Sequence, residues 1–190
     1  YEASLAINPN YPEALNNYGL LLAKVSETGS AVDSFANALR LKPDYAEAQR
    51  NFSDLLARVS FLEARPDLEQ TILVLLNSLS SCRPIAMSRS IMSLVKQSNT
   101  FQTLVSLLDQ GEGEDSFNQI VLCFSSIPLL LDLMQLSPLP DIEVERPLTA
   151  IRRRMLFSKV DLLERSGVCF ERLAIQCFIN EYCWLVSKVE

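Results

Sequence analysis

The chain has 190 residues, 48% of them apolar and 21% charged, with a formal net charge of −6 and no histidine. That is enough apolar side chain to bury a core, and the negative balance argues against loose electrostatic attraction to nucleic acid or an anionic membrane. Five cysteines, Cys82, Cys123, Cys169, Cys177 and Cys183, form an odd, unevenly spaced set inside apolar segments, with no Cys-x-x-Cys. They read as reduced, buried thiols of a cytoplasmic protein; without histidine, the usual zinc-ligand spacings are missing.

The first full helical hairpin starts after Asn10, where Tyr11-Pro12-Glu13 puts proline in an opening turn that does not need its N–H. Leu15, Tyr18, Leu22 and Val25 follow at spacings of three and four and give one apolar stripe. Gly19 stands where two helices are expected to cross closely. Gly29 and Ser30 open the second helix, whose Ala31, Phe35, Ala38 and Leu39 alternate small and large, and Pro43 stops it before Tyr45 begins the next. At an offset of 34 (Tyr11 to Tyr45), the segment Tyr1 to Ala14 falls on Phe35 to Ala48, aromatic on aromatic and proline on proline. The chain opens at Tyr1 in mid-repeat without a methionine, so it is expected to be a piece of something longer.

A period of 34 with Leu15, Tyr18-Gly19, Leu22, Ala31, Phe35, Ala38 and Pro43 in these places resembles the tetratricopeptide repeat. The resemblance covers Tyr1 to about Ala57. It departs mildly, with leucine for the usual first aromatic and with Gln49 and Ser53 in the fading third copy. It implies an all-α fold: repeat hairpins over residues 1–62 forming an α-α superhelix, then an irregular all-helical domain over 63–190. Asn17 and Asn51 are also 34 apart, and the run Asn-Pro-Asn-Tyr-x-Glu-Ala-x-x-Asn is similar to the subclass found in O-linked N-acetylglucosamine transferases, whose stacked asparagines line an inner groove and clamp a peptide main chain. Carried onto this sequence, the peptide-binding candidates are Asn16, Asn17, Lys24 and Asn51. A side-chain amide both donates and accepts, so it can pair with any extended peptide. The alternative is that each asparagine only bonds backbone between adjacent helices.

Beyond Ala57 the period fades and Arg65-Pro66-Asp67 marks a boundary. The spacing predicts a helix over Leu68 to Leu79 and another starting at Pro84 through Met87, Ile91, Leu94 and Val95. Ser98-Asn99-Thr100 supplies capping side chains for a helix carrying Phe101, Leu104 and Leu108. Gly111 to Asp115 reads as a solvated connection: three acids among five residues would repel a phosphate, and the spacing is not that of a calcium loop. The apolar run from Ile120 to Leu136 is too short to span a bilayer comfortably, and Pro128 and Asp132 interrupt it; two buried helices meeting near the proline are expected. Asp141 is placed to cap a helix through Pro147 to about Lys159, with Leu148, Ile151, Met155 and Leu156 inward. Arg152, Arg153 and Arg154 fan around that helix, either as a solvated face or as a grip for a carboxylate or phosphate.

The last helix, expected from Phe170 to Lys188, carries Gln176-Cys177-Phe178-Ile179-Asn180-Glu181-Tyr182. With Leu148 to Arg153, this run is similar to a helical segment of bacterial proteins that join tetratricopeptide repeats to an S-adenosylmethionine-dependent methyltransferase. That resemblance implies an accessory region, with Gln176, Asn180 and Glu181 either packing against a neighbouring loop or docking a following domain. The glycine-rich strand-loop-helix that would hold the cofactor is not in the sequence, so no cofactor and no methyl transfer are expected of this chain. A cysteine nucleophile would also lack its usual histidine base. The favoured expectation is a non-catalytic scaffold with a protein or peptide partner in the repeat groove, and without nucleic-acid or membrane partners. The rival is an accessory, substrate-positioning region of a methyltransferase whose catalytic domain lies elsewhere.

Overall fold

The computed structural model describes residues 9–78, 83–109, 114–139, 141–157, 167 and 171–176. The fold is all-α, as the sequence predicts, with no strand among the described residues. It divides into two compact units, Tyr1–Leu94 and Val95–Glu190.

The first unit contains α1 (Pro12–Lys24), α2 (Thr28–Leu41), α3 (Ala46–Leu56), α4 (Pro66–Asn77) and most of α5 (Pro84–Gln97). Three of these open on a proline, whose fixed φ suits a first helical turn. Helix α1 packs on α2, α2 on α3 and on α4, and α1 also touches α3. The α1–α2 crossing is set by Gly19: a Cβ built there would stand 2.9 Å from Cε1 of Phe35. Phe35 in turn meets Phe52 with ring centroids 6.3 Å apart and planes tilted by 36°. Ala31, Ala36, Ala38 and Ala48 are wholly buried, small side chains that let the helices close on the two rings.

Two devices fix the ends of these helices. Helix α1 stops in a Schellman turn, in which the Glu27 N–H donates to the Leu22 carbonyl at 2.9 Å and Ser26 takes the left-handed conformation at φ 66°. Arg65, just before α4, reaches Asp33 on α2 as well as Asp67, while Arg40 donates to the Asp67 carbonyl at 3.1 Å. The Arg65 guanidinium holds the Asp67 carboxyl below its usual range despite partial burial. The predicted stripe of Leu68, Ile72, Leu75 and Leu76 is buried on α4. Gln49, which departs from the repeat pattern, is buried and donates to the Pro43 carbonyl at 2.7 Å and to Ser78 Oγ at 3.0 Å, tying α3 to the end of α4.

The second unit contains α6 (Asn99–Asp109), α7 (Glu114–Ser125), α8 (Pro128–Leu136) and α9 (Ile142–Phe157), with residues 171–176 also helical. Helix α9 packs on α6 and α7, which pack on each other. Both expected caps form. Ser98 Oγ accepts the Phe101 N–H at 3.2 Å, and Asp141 Oδ1 accepts the Glu143 N–H at 2.9 Å. No single helix among the described residues is long and apolar enough to cross a membrane; α7 and α8 meet at a 74° bend. Both are buried along Ile120, Phe124, Leu130, Leu133 and Met134.

The three arginines of α9 differ from the solvated-face expectation. Only Arg153 is exposed. Arg152 is 6% exposed and pairs with Glu145, two turns earlier, and Arg154 Nη2 donates to the Leu108 carbonyl at 3.2 Å. A guanidinium there complements the negative end of α6. Residues 111–113, Asn180, Glu181 and four of the cysteines (Cys82, Cys169, Cys177, Cys183) lie outside the described residues.

Candidate functional site

Helical spacing places Glu13, Asn17, Leu21 and Lys24 on one face of α1, opposite the buried Leu15 and Gly19. The matching face of α3 carries Glu47, Asn51 and Leu55, with Arg58 just past its end. Each residue of the second set lies 34 positions after one of the first, so acid, amide, leucine and base recur in the same order. Arg58 and the two glutamates extend the candidate set read from sequence. Their signal was present: Leu22-Ala23-Lys24-Val25-Ser26 returns as Leu56-Ala57-Arg58-Val59-Ser60, beyond the point where the hairpin pattern fades.

The four candidates fall into different environments. Asn16 is wholly buried. Its Oδ1 accepts from Asn51 Nδ2 at 2.9 Å and its Nδ2 donates to Glu47 Oε1 at 3.3 Å, so both ends of the amide are spent between α1 and α3. The contact between asparagines is therefore Asn51 with Asn16 rather than with Asn17. Glu47 also accepts from the Tyr45 hydroxyl at 3.3 Å; burial, then the Glu47 charge, pushes that hydroxyl's pKa up. Lys42 lies 3.4 Å from Glu13 and 5.0 Å from the centre of the Tyr45 ring, within cation–π reach.

The half-buried Asn17 side chain makes no hydrogen bond with any described residue, and the exposed side chains of Lys24 and Arg58 pair with none. The face thus has its acids engaged and its outer amide and two cations open. Leu21, between Asn17 and Lys24, is 45% exposed. An open amide next to an apolar side chain and a cation can take a peptide main chain, a side chain and a carboxylate.

Of the docking candidates Gln176, Asn180 and Glu181, only Gln176 lies among the described residues. Gln176 is wholly buried, and neither of its amide atoms has a partner among the described residues. Arg172, one turn before it, approaches Asp132 of α8 at 3.5 Å. Cys123 is half-buried in α7 and its thiol donates to the Thr100 carbonyl at 3.3 Å; burial pushes its pKa up, away from the reactive thiolate. In comparisons with known proteins, no family model, curated protein or solved structure matches this chain.

Proposed function

We propose that the first unit is a run of tetratricopeptide-type hairpins serving as a non-catalytic scaffold, and that the α1–α3 face holds an extended, acidic peptide of a partner protein. One observation carries the reading: the same acid–amide–leucine–base order recurs on two helices that pack side by side, with the acids paired internally and Asn17, Lys24 and Arg58 left open. The Gly19–Phe35 crossing and the buried Ala31 and Ala38 support the repeat assignment, because close-packed hairpins need small residues where their helices touch. Open cations favour carboxylates, and an open amide suits a main chain that still has donors and acceptors to satisfy.

Selection of a displayed random-peptide library on the full chain tests this. Enriched sequences should be rich in Asp and Glu, and Asn17→Ala should weaken their binding about tenfold, roughly 1.4 kcal/mol, with the melting temperature nearly unchanged. Enrichment of basic or purely apolar sequences, or binding indifferent to Asn17, would remove the basis for the assignment.

A further inference from the structure

A cleft of about 680 Å³ lies within the second unit, between α6 and α9. Phe101, Val105 and Leu108 of α6 form one side of its floor, and Pro147 and Ala150 of α9 the other. These are i, i+4, i+7 on one helix and i, i+3 on the next, so an apolar stripe of about two turns, roughly 10 Å, on α6 meets one of about a single turn on α9. The walls are fixed at both ends. Lys96 Nζ lies 2.8 Å from Asp141 and 2.7 Å from Glu143 at one end, and Arg154 holds the Leu108 carbonyl at the other. Val105, Leu108 and Ala150 remain only half-buried.

The two edges differ in charge. The α6 edge carries Gln102, which donates to the Lys96 carbonyl at 2.6 Å, and Asp109 at its far end. The α9 edge carries Glu143, paired with Lys96, then Arg146, and, seven residues on and just beyond the cleft lining, Arg153. Both arginines are exposed and neither pairs with a described residue. Spaced by two turns, they share one side of the helix.

We propose that this cleft docks an amphipathic α-helix of a partner protein, with apolar residues on its inner face and carboxylates along the edge that meets Arg146 and Arg153. Apart from the Glu143 carbonyl, which Pro147 leaves without its helical N–H donor, and the last carbonyls of α6, the main-chain groups of α6 and α9 are used within their own helices, so the cleft has little to pair with an extended backbone. A helix arrives with its backbone bonds already made and needs only an i, i+4, i+7 apolar stripe. The unpaired arginines along one edge set the sign of its charge and its direction. The inference is independent of the peptide face on α1 and α3.

The test uses the full chain and two fluorescein-labelled synthetic helical peptides, both with leucine at i, i+4 and i+7, one edged with glutamate and its isomer edged with lysine. The glutamate peptide should bind saturably and the lysine isomer about tenfold more weakly. Arg146→Glu with Arg153→Glu, both exposed changes, should reverse that preference, and Ala150→Trp should abolish binding of both peptides by filling the cleft. Failure of both peptides to saturate, equal binding of the two, or a preference that survives the charge reversal would overturn the proposal. So would a concentration-dependent doubling of mass in light scattering that the charge reversal removes, which would make a second copy the occupant.

Discussion

Gly19 has no room for a methyl group, because the buried Phe35 ring occupies the space a Cβ would take. Gly19→Ala gains about 1 kcal/mol of helix propensity but has to displace a packed ring, at about 1–3 kcal/mol. The expected net is a loss of about 1 kcal/mol in urea denaturation, and Gly19→Ala made in a Phe35→Leu background should no longer carry that loss relative to Phe35→Leu alone; a stabilised single variant would mean that the ring yields freely. Ser26 is the opposite case. An L-residue in the left-handed region is strained by about 1–2 kcal/mol, so Ser26→Gly should raise stability by about 0.5–1 kcal/mol once its extra unfolded-state entropy is counted. The asparagines separate in the same way. Asn51→Ala strands the buried Asn16 Oδ1 and should cost about 1–3 kcal/mol, whereas Asn17→Ala should move stability by less than about 0.5 kcal/mol. Equal effects on thermal unfolding would contradict the different placement of the two amides.

Helices were legible where the chain carries its own start signal or a one-sided stripe. Pro12, Pro66, Pro84 and Pro128 each open a helix, and Ser98 and Asp141 cap the helices expected of them. Burial of individual polar residues was less legible. Asn16 sits at the margin of the α1 stripe, and only the position of α3 turns its amide inward. Arg152 looked like one of three solvated cations; its partner Glu145 was in view two turns earlier, but nothing local says that this edge of α9 is covered. Asp141 links an element to pH. Burial raises its pKa, but Lys96 and the first N–H groups of α9 outweigh burial and hold the carboxyl below its ordinary value. A depressed folded pKa gives stability that is fully present above the unfolded value of about 3.9 and lost as pH falls below it. Lys96, raised chiefly by Asp141, contributes below its unfolded value of about 10.4 and loses that as pH rises through the folded one. The urea midpoint should therefore fall below about pH 4, and Asp141→Asn should both lower the neutral-pH midpoint and flatten that acid limb. An unchanged acid limb in the variant would remove Asp141 from the cause.

At the scale of the molecule, the sequence announced an all-α chain, because regular apolar spacing survives without knowledge of tertiary contacts. The α6–α9 cleft could not be read that way. Its floor combines stripes more than thirty residues apart, and each looks like ordinary core until the two are seen to line one cleft. The account depends most on the α1–α3 face being the one that holds a partner's chain. Photo-crosslinking addresses that directly: a photoreactive residue replacing Leu21, which lies between Asn17 and Lys24 and is 45% exposed, is compared with one replacing the equally exposed Leu41 at the end of α2. With a library-selected acidic peptide, the account predicts a crosslinked adduct from position 21 and none from position 41. Equal labelling at the two positions, or labelling at 41 alone, would contradict it.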